Sequence, residues 1–174
     1  MKIPVEKDLS CSETQYFRQI WLILLMLATS ALFLYAMYEQ FILGVPFGDK
    51  PMPDNVLIIF SIIFGLIFPA FIFSLHLITQ VRKDGLYIRF VPLHPSFVKI
   101  EYTDIVRFET VTYSPIFEYG GWGIRYGIKG KAYNVSGNRG VRLMFNNGRH
   151  ILIGSQRAEE LAIALQNAKS RINA

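Results

Sequence analysis

The chain reads as an α+β membrane protein, a two-helix transmembrane hairpin followed by an antiparallel β-barrel or sandwich that a C-terminal helix caps. Three observations predict this. Two apolar runs, Ile20–Leu43 and residues 56–78, each exceed the roughly 20 residues an α-helix needs to cross a ~30 Å hydrocarbon layer. Beyond Arg82-Lys83 the hydropathy alternates with period two, the mark of half-buried strands. Near the end, Ala158, Leu161, Ala162 and Leu165 return to helical spacing.

Composition narrows the class. The 174 residues leave room for one small domain beside the hairpin, and the two runs account for a hydrophobic content of 52%. A single cysteine, Cys11, excludes an intrachain disulfide and a cysteine metal cluster, leaving a reduced thiol or an acylation site. From Arg82 onward there are 14 Lys and Arg against seven Asp and Glu, whereas the inter-helix connection holds only Lys50. Lys2, Lys7 and Arg18 flank the first run, and Arg82, Lys83 and Arg89 follow the second. The positive-inside rule then places both termini in the cytoplasm and the chain in the cytoplasmic membrane as a multi-pass protein. The first run is too long for a cleaved signal peptide, and no small-residue cleavage pattern follows it.

Residues 1–17 are polar and are expected to be a separate cytoplasmic segment, irregular or interfacial. Ser12 and Gln15 stand at capping-box spacing for a helix running into the membrane. The hairpin occupies 18–81, with helices over 20–43 and 56–78. Its turn, residues 44–54, has three prolines and two glycines, and Asp54 or Asn55 would cap the second helix. Ser61 and Gly65 form a small-residue face suited to helix packing, and Pro69 predicts a kink. Glu39 and His76, the ionisable residues of the runs, lie near opposite interfaces and read as anchors.

The domain occupies 82–174. Strands are expected over Gly85–Val91, 97–102, 105–113, 131–135, 140–145 and His150–Gly154, with Asn147-Gly148 as a strong hairpin signal. Gly120, Gly121 and Gly123 allow a bend, over which Trp122 would pack. A helix over 156–168 starts after Ser155, its N-cap, with Glu159 and Glu160 at the positive end of its dipole.

Four stretches occur in the order D-G-L-Y-I-R-F (84–90), Y-T-D-I-V-R-F-E (102–109), G-G-W-G-I-R (120–125) and V-R-L-M-F-N-N-G-R-H-I-L-I-G-S (141–155). Together they resemble the pleckstrin-homology-like (PH-like) domains of small bacterial and archaeal membrane proteins, which follow helical hairpins. The resemblance spans residues 80–170 and implies a PH-like fold rather than an activity, since most such proteins have none assigned.

No catalytic constellation assembles from the sequence. His76, His94 and His150 are scattered, no Ser stands in a nucleophile elbow, and Gly120–Gly123 is not a nucleotide fingerprint. The chain is therefore expected to be no enzyme and to take no cofactor or metal. Lys129, Lys131, Arg139, Arg142 and Arg149 cluster around two turns and are the candidate contacts for lipid or a partner. Nucleic acid is not expected, because no stacking aromatics interleave them. The leading expectation is a membrane-anchored interaction module. Its partners are the bilayer and a second copy or another membrane protein, with Ser61 and Gly65 as the contact face. The rivals are an accessory subunit of a transporter or channel using Glu39 and Pro69, and an anionic-lipid sensor using Lys129, Lys131 and Arg139.

Overall fold

The computed structural model describes residues 9–172. Lys2 and Lys7, which enter the charge argument, lie outside them. The fold is mixed α+β and divides into two compact units. One is Arg18–Ser74; the other joins residues 9–17 with residues 75–172.

The first unit holds the two apolar helices, α1 (Ile20–Leu43) and α2 (Asp54–Ser74), both long and apolar enough to cross a membrane. α1 closes on Gly44 in the left-handed conformation. The middle of α2, Ser61–Ile67, widens into π geometry, so that Phe68 N–H reaches the carbonyl of Ile63. Pro69 explains this. It has no N–H, and its ring would collide with the carbonyl four residues back, so the wider turn before it relieves the clash. Leu57, Gly65 and Pro69 are buried along one stripe, with half-buried Ser61 between them. The stripe faces α1: a Cβ on Gly65 would lie 3.4 Å from Phe33 Cβ, and the Phe33 and Phe64 rings stack at 6.0 Å. The small-residue face expected to receive a second copy is thus occupied by α1. Gln40 Nε2 donates to Met52 O (3.0 Å) and Asp54 Oδ1 (2.6 Å), which ties the connection shut. Asp54 therefore opens α2 with its carboxylate engaged by Gln40, and Pro53, not Asp54 or Asn55, takes the cap position. The remaining faces carry exposed Leu24, Leu27, Leu34, Ile42, Ile59, Leu66 and Ile67.

The second unit has two sheets among the described residues. The first is a meander of β1 (Leu9–Tyr16), β2 (His76–Arg82), β3 (Gly85–Val91) and β4 (Val98–Ile100). The second comprises β5 (Ile105–Thr112), β6 (Gly123–Gly127), β7 (Gly130–Asn134), β8 (Arg139–Phe145) and β9 (His150–Gly154), in the order β5-β8-β9-β7-β6. No strand is shared between the sheets, so they do not close into a barrel. β7 and β9 run parallel, which departs from the all-antiparallel expectation. A short helix, α3 (Pro115–Tyr119), precedes β6, and α4 (Ala158–Ile172) closes the unit. Leu77, Val81, Leu86, Ile88 and Phe90 of the first sheet share one core with Val141, Leu143 and Ile153 of the second and with Leu161 and Leu165 of α4.

Two expectations fail at the junction between the units. Residues 9–16 are neither a separate irregular segment nor the start of a helix. They form β1, paired with β2 from Leu9↔Arg82 to Tyr16↔His76. The second helix ends at Ser74 rather than residue 78, and His76 opens β2 instead of anchoring a helix end. The reasons are specific. β1 turns Glu13 and Gln15 inward, so its alternation is polar on the buried side and invisible to hydropathy. β2 buries Leu77, Thr79 and Val81, but Leu75–Ile78 continues the apolar run, which hides the switch to period two.

β1 is sewn in by polar bonds. Glu13 accepts Ser155 Oγ–H (2.5 Å) and Gln156 N–H (2.8 Å), and Gln15 Nε2 donates to Gly154 O (2.7 Å). Arg157 donates to Ser12 O at 2.8 Å, and Ser155 Oγ accepts Arg157 N–H at 3.0 Å. α4 opens at Ala158, two residues later than expected, so Ser155 is not its N-cap but holds the turn before it, while Glu13 supplies a negative charge beside the helix start.

Candidate functional site: a basic groove beside the β6–β7 turn

The two-sheet unit carries a groove of about 790 Å³. It is lined by Tyr126–Lys131 of the β6–β7 hairpin, Tyr133, Arg142 and Met144 of β8, the Gly148–Ile151 stretch and Val98 of β4. Local sequence builds each wall. Gly148 has φ +75° in the Asn146–Arg149 turn, whose ends close through Phe145 N–H to Arg149 O at 3.0 Å. Asn146 ties that turn to the neighbouring one by donating from Nδ2 to Thr103 O at 3.0 Å. Outside the groove, Gly120 ends α3 in the left-handed conformation, and Trp122 Nε1 donates to Gly137 O at 3.2 Å.

Of the five basic residues singled out, the structure brings four to this groove: Lys129, Lys131, Arg142 and Arg149. Arg139 lies elsewhere, at the start of β8, paired with Glu159 of α4. The four differ in their partners. Lys129 Nζ lies 3.0 Å from Glu118, and Arg142 bridges Glu109 (3.4 Å) and Glu118 (4.0 Å). The Ser114 backbone N–H, and then Lys129, hold the Glu118 carboxyl below its usual range, so it stays ionised. Lys131 has no carboxylate within 4.0 Å among the described residues. Its ammonium lies 4.6 Å from the Tyr133 ring centroid and 5.2 Å from that of Tyr126. Burial works against its charge, yet the two tyrosines outweigh burial and its pKa lies above the ordinary value. Arg149 is exposed at the rim. The groove can therefore receive anionic or aromatic groups through Lys131 and Arg149, with Arg142 and Lys129 already balanced from behind.

His94, in the turn after β3, packs its ring against Tyr133 at 5.8 Å, and its Nδ1 accepts Phe90 N–H at 3.3 Å. Burial, and then the Lys131 ammonium, hold its pKa below the usual value. Among the described residues no three His, Cys, Asp or Glu side chains converge as a metal site would require. Burial raises the Cys11 thiol. In the helical unit, Glu39 accepts a hydrogen bond from Tyr35 of its own helix, and Pro69 is buried. The sequence reading missed the tyrosine pair around Lys131 and the α3 carboxylate Glu118. Tyr133 shares a face of β7 with Lys131, two residues away, whereas Tyr126 reaches that ammonium only through the hairpin register, Tyr126↔Lys131.

Fold and groove together define a mixed α+β protein in which two helices, long and apolar enough to span a membrane, interrupt a two-sheet domain between its first two strands. The chain belongs to a family of unknown function (DUF6141), whose pattern covers residues 3–172. No curated protein and no solved structure matched it.

Proposed function

We propose that the protein is a non-enzymatic, membrane-anchored interaction module. α1 and α2 form a hairpin through the cytoplasmic membrane, both termini are cytoplasmic, and a PH-like two-sheet domain offers its basic groove to a membrane surface or a partner protein. The observation that carries this reading is the Tyr16↔His76 pair. The chain leaves the domain at the end of one strand and re-enters at the start of its neighbour, so both flanks of the helices must lie on one side of any bilayer they cross. The excess of Lys and Arg after Arg82 supports the cytoplasm as that side. The exposed apolar faces of both helices suit a lipid solvent, where each backbone satisfies its own hydrogen bonds.

The test is labelling with a membrane-impermeant maleimide in a Cys11→Ser background. Asp49→Cys, in the inter-helix connection, is expected to react in intact cells, and Arg149→Cys only after lysis. The reverse pattern, or reaction at both sites in intact cells, refutes the reading. The transporter alternative gains nothing from the structure, since Glu39 is bonded to Tyr35 and Pro69 is buried.

A further inference from the structure

We propose that the corner made by α3 and the β6–β7 turn inserts into the headgroup region of the anionic bilayer that anchors the chain, as a third point of membrane contact. This rests on the membrane reading above and names the partner of the groove's outer rim.

The corner concentrates exposed apolar surface. Ile128 is 98% exposed, Phe117 88%, Tyr126 77% and Ile116 59%. Single exposed apolar residues are ordinary on a protein surface, but a cluster of this kind marks a contact. Ile163 gives the contrast: it is also exposed, yet on α4 it stands between Glu160 and Asn167.

The corner is also held rigidly. A Cβ at Gly127 would fall 2.1 Å from Glu118 O, so only glycine lets the turn lie against α3. Gly130, at φ +101°, seats the other end of the turn against the His150 backbone, where a Cβ would approach to 2.4 Å. The Lys129–Glu118 pair closes the contact. The turn that carries Ile128 is thereby seated against α3, which carries Phe117, and both side chains stand exposed.

Around them stand Lys129, Lys131 and Arg149 on the groove side. Apolar side chains ringed by lysine and arginine, with a tyrosine between, match the layering of an anionic membrane surface: acyl chains, interface, phosphates. On the membrane reading, the domain is also tied closely to the bilayer. Only residues 17–19 separate β1 from α1, and only Leu75 separates α2 from β2. That tether keeps lipid at high effective concentration, which a diffusing protein partner must outcompete.

The test places nitroxide labels on the full-length chain with Cys11→Ser, reconstituted in phosphatidylcholine vesicles with and without phosphatidylglycerol. Labels are introduced as Phe117→Cys, Ile128→Cys, Ile163→Cys and Leu27→Cys. In anionic vesicles the ratio of oxygen to nickel-chelate accessibility is expected to be severalfold higher at 117 and 128 than at 163. Combining Lys131→Glu with Arg149→Glu, which leaves the Lys129–Glu118 pair intact, is expected to return 117 and 128 to the value at 163. If 117 and 128 read as water while 27 in α1 reads as lipid, the insertion is refuted and the anchor stands. If they are shielded from both reagents, a protein covers the corner and the proposal also fails. If 27 itself reads as water, the membrane reading falls and this inference with it.

Discussion

Glu13 sits where a strand from before the helices meets the start of the last helix. Its carboxylate takes the Ser155 hydroxyl and the Gln156 N–H, and it is buried. Removing it leaves two donors without their acceptor, which costs about 2 kcal/mol for a buried charge-assisted pair. Glu13→Ala is therefore expected to lower the Tm, measured by tryptophan fluorescence in detergent or nanodiscs, while Ser12→Ala, whose contact is a backbone carbonyl, leaves it nearly unchanged. His94 adds a pH dependence. Its folded pKa lies below the unfolded value of about 6.5, so the unfolded chain binds a proton that the folded chain rejects. Its contribution is complete above that pH and is lost as the pH falls toward the folded pKa. Lys131 faces it, and Arg89 Nε donates to its carbonyl at 3.1 Å, so the surroundings are positive. The Tm of the native chain is expected to drop more between pH 7.5 and 5.5 than that of His94→Asn; equal drops would remove His94 from the account.

The helices and strands show the same logic one level up. In α2, Gly65 and Pro69 answer each other: the proline forces a wide turn, and the glycine lets that turn approach Phe33. Gly65→Leu is expected to push α1 and α2 apart, widening the distance between spin labels on the two helices, whereas Gly65→Ala, placed at ordinary contact distance, leaves it almost unchanged. In α4, Ala158, Leu161, Leu165 and Ala168 are buried along one stripe, with Glu159 and Glu160 in the first turn and Lys169 and Arg171 in the last. Leu165→Ala removes a fully buried side chain from the joint core and should cost roughly 2–5 kcal/mol, read as a shift in denaturation midpoint. Four strands agree closely with their sequence signals. Gly85–Val91 and His150–Gly154 have the expected bounds, β5 ends one residue early and β8 begins one residue early. Gly85–Val91 alternates apolar with polar residues, and β8 and β9 flank the Asn-Gly turn. β6 escaped, because its glycines read as a bend, and α3 escaped because it is a single short turn whose first residue, Pro115, closely follows a strand.

At the scale of the molecule, the helical unit is an insertion. Tyr16 and His76 are partners across β1 and β2, and Phe17 and Leu75 pack on the same core. Replacing residues 18–74 by Asn-Gly should convert the junction into an ordinary β-hairpin. That shortened chain is expected to be soluble and to keep the two-sheet fold, seen as dispersed amide resonances. Deleting residues 1–17 instead strips an edge strand, Glu13 and Gln15 from the domain. It is expected to give an aggregated product, and a well-folded one would show that β1 is dispensable. The groove, assembled from β4, the β6–β7 turn and β8–β9, should survive the first change and not the second.

The sequence by itself determined the parts whose chemistry is local. Two uninterrupted apolar runs have one low-energy backbone in lipid, alternating residues make strands, and Asn-Gly makes a hairpin. It also determined the charge asymmetry and four of the residues that line the groove. Tertiary structure alone decided where residues 9–16 go, because a strand with polar residues on its buried face is stable only when distant groups, here Ser155 and Gln156, meet them. It also decided that β7 runs parallel to β9, that Arg139 leaves the basic cluster for Glu159, and that Ile116, Phe117, Tyr126 and Ile128 share a corner. Each of these depends on which strand lies beside which, and pairing between strands far apart in the chain leaves no periodicity for a local pattern to carry.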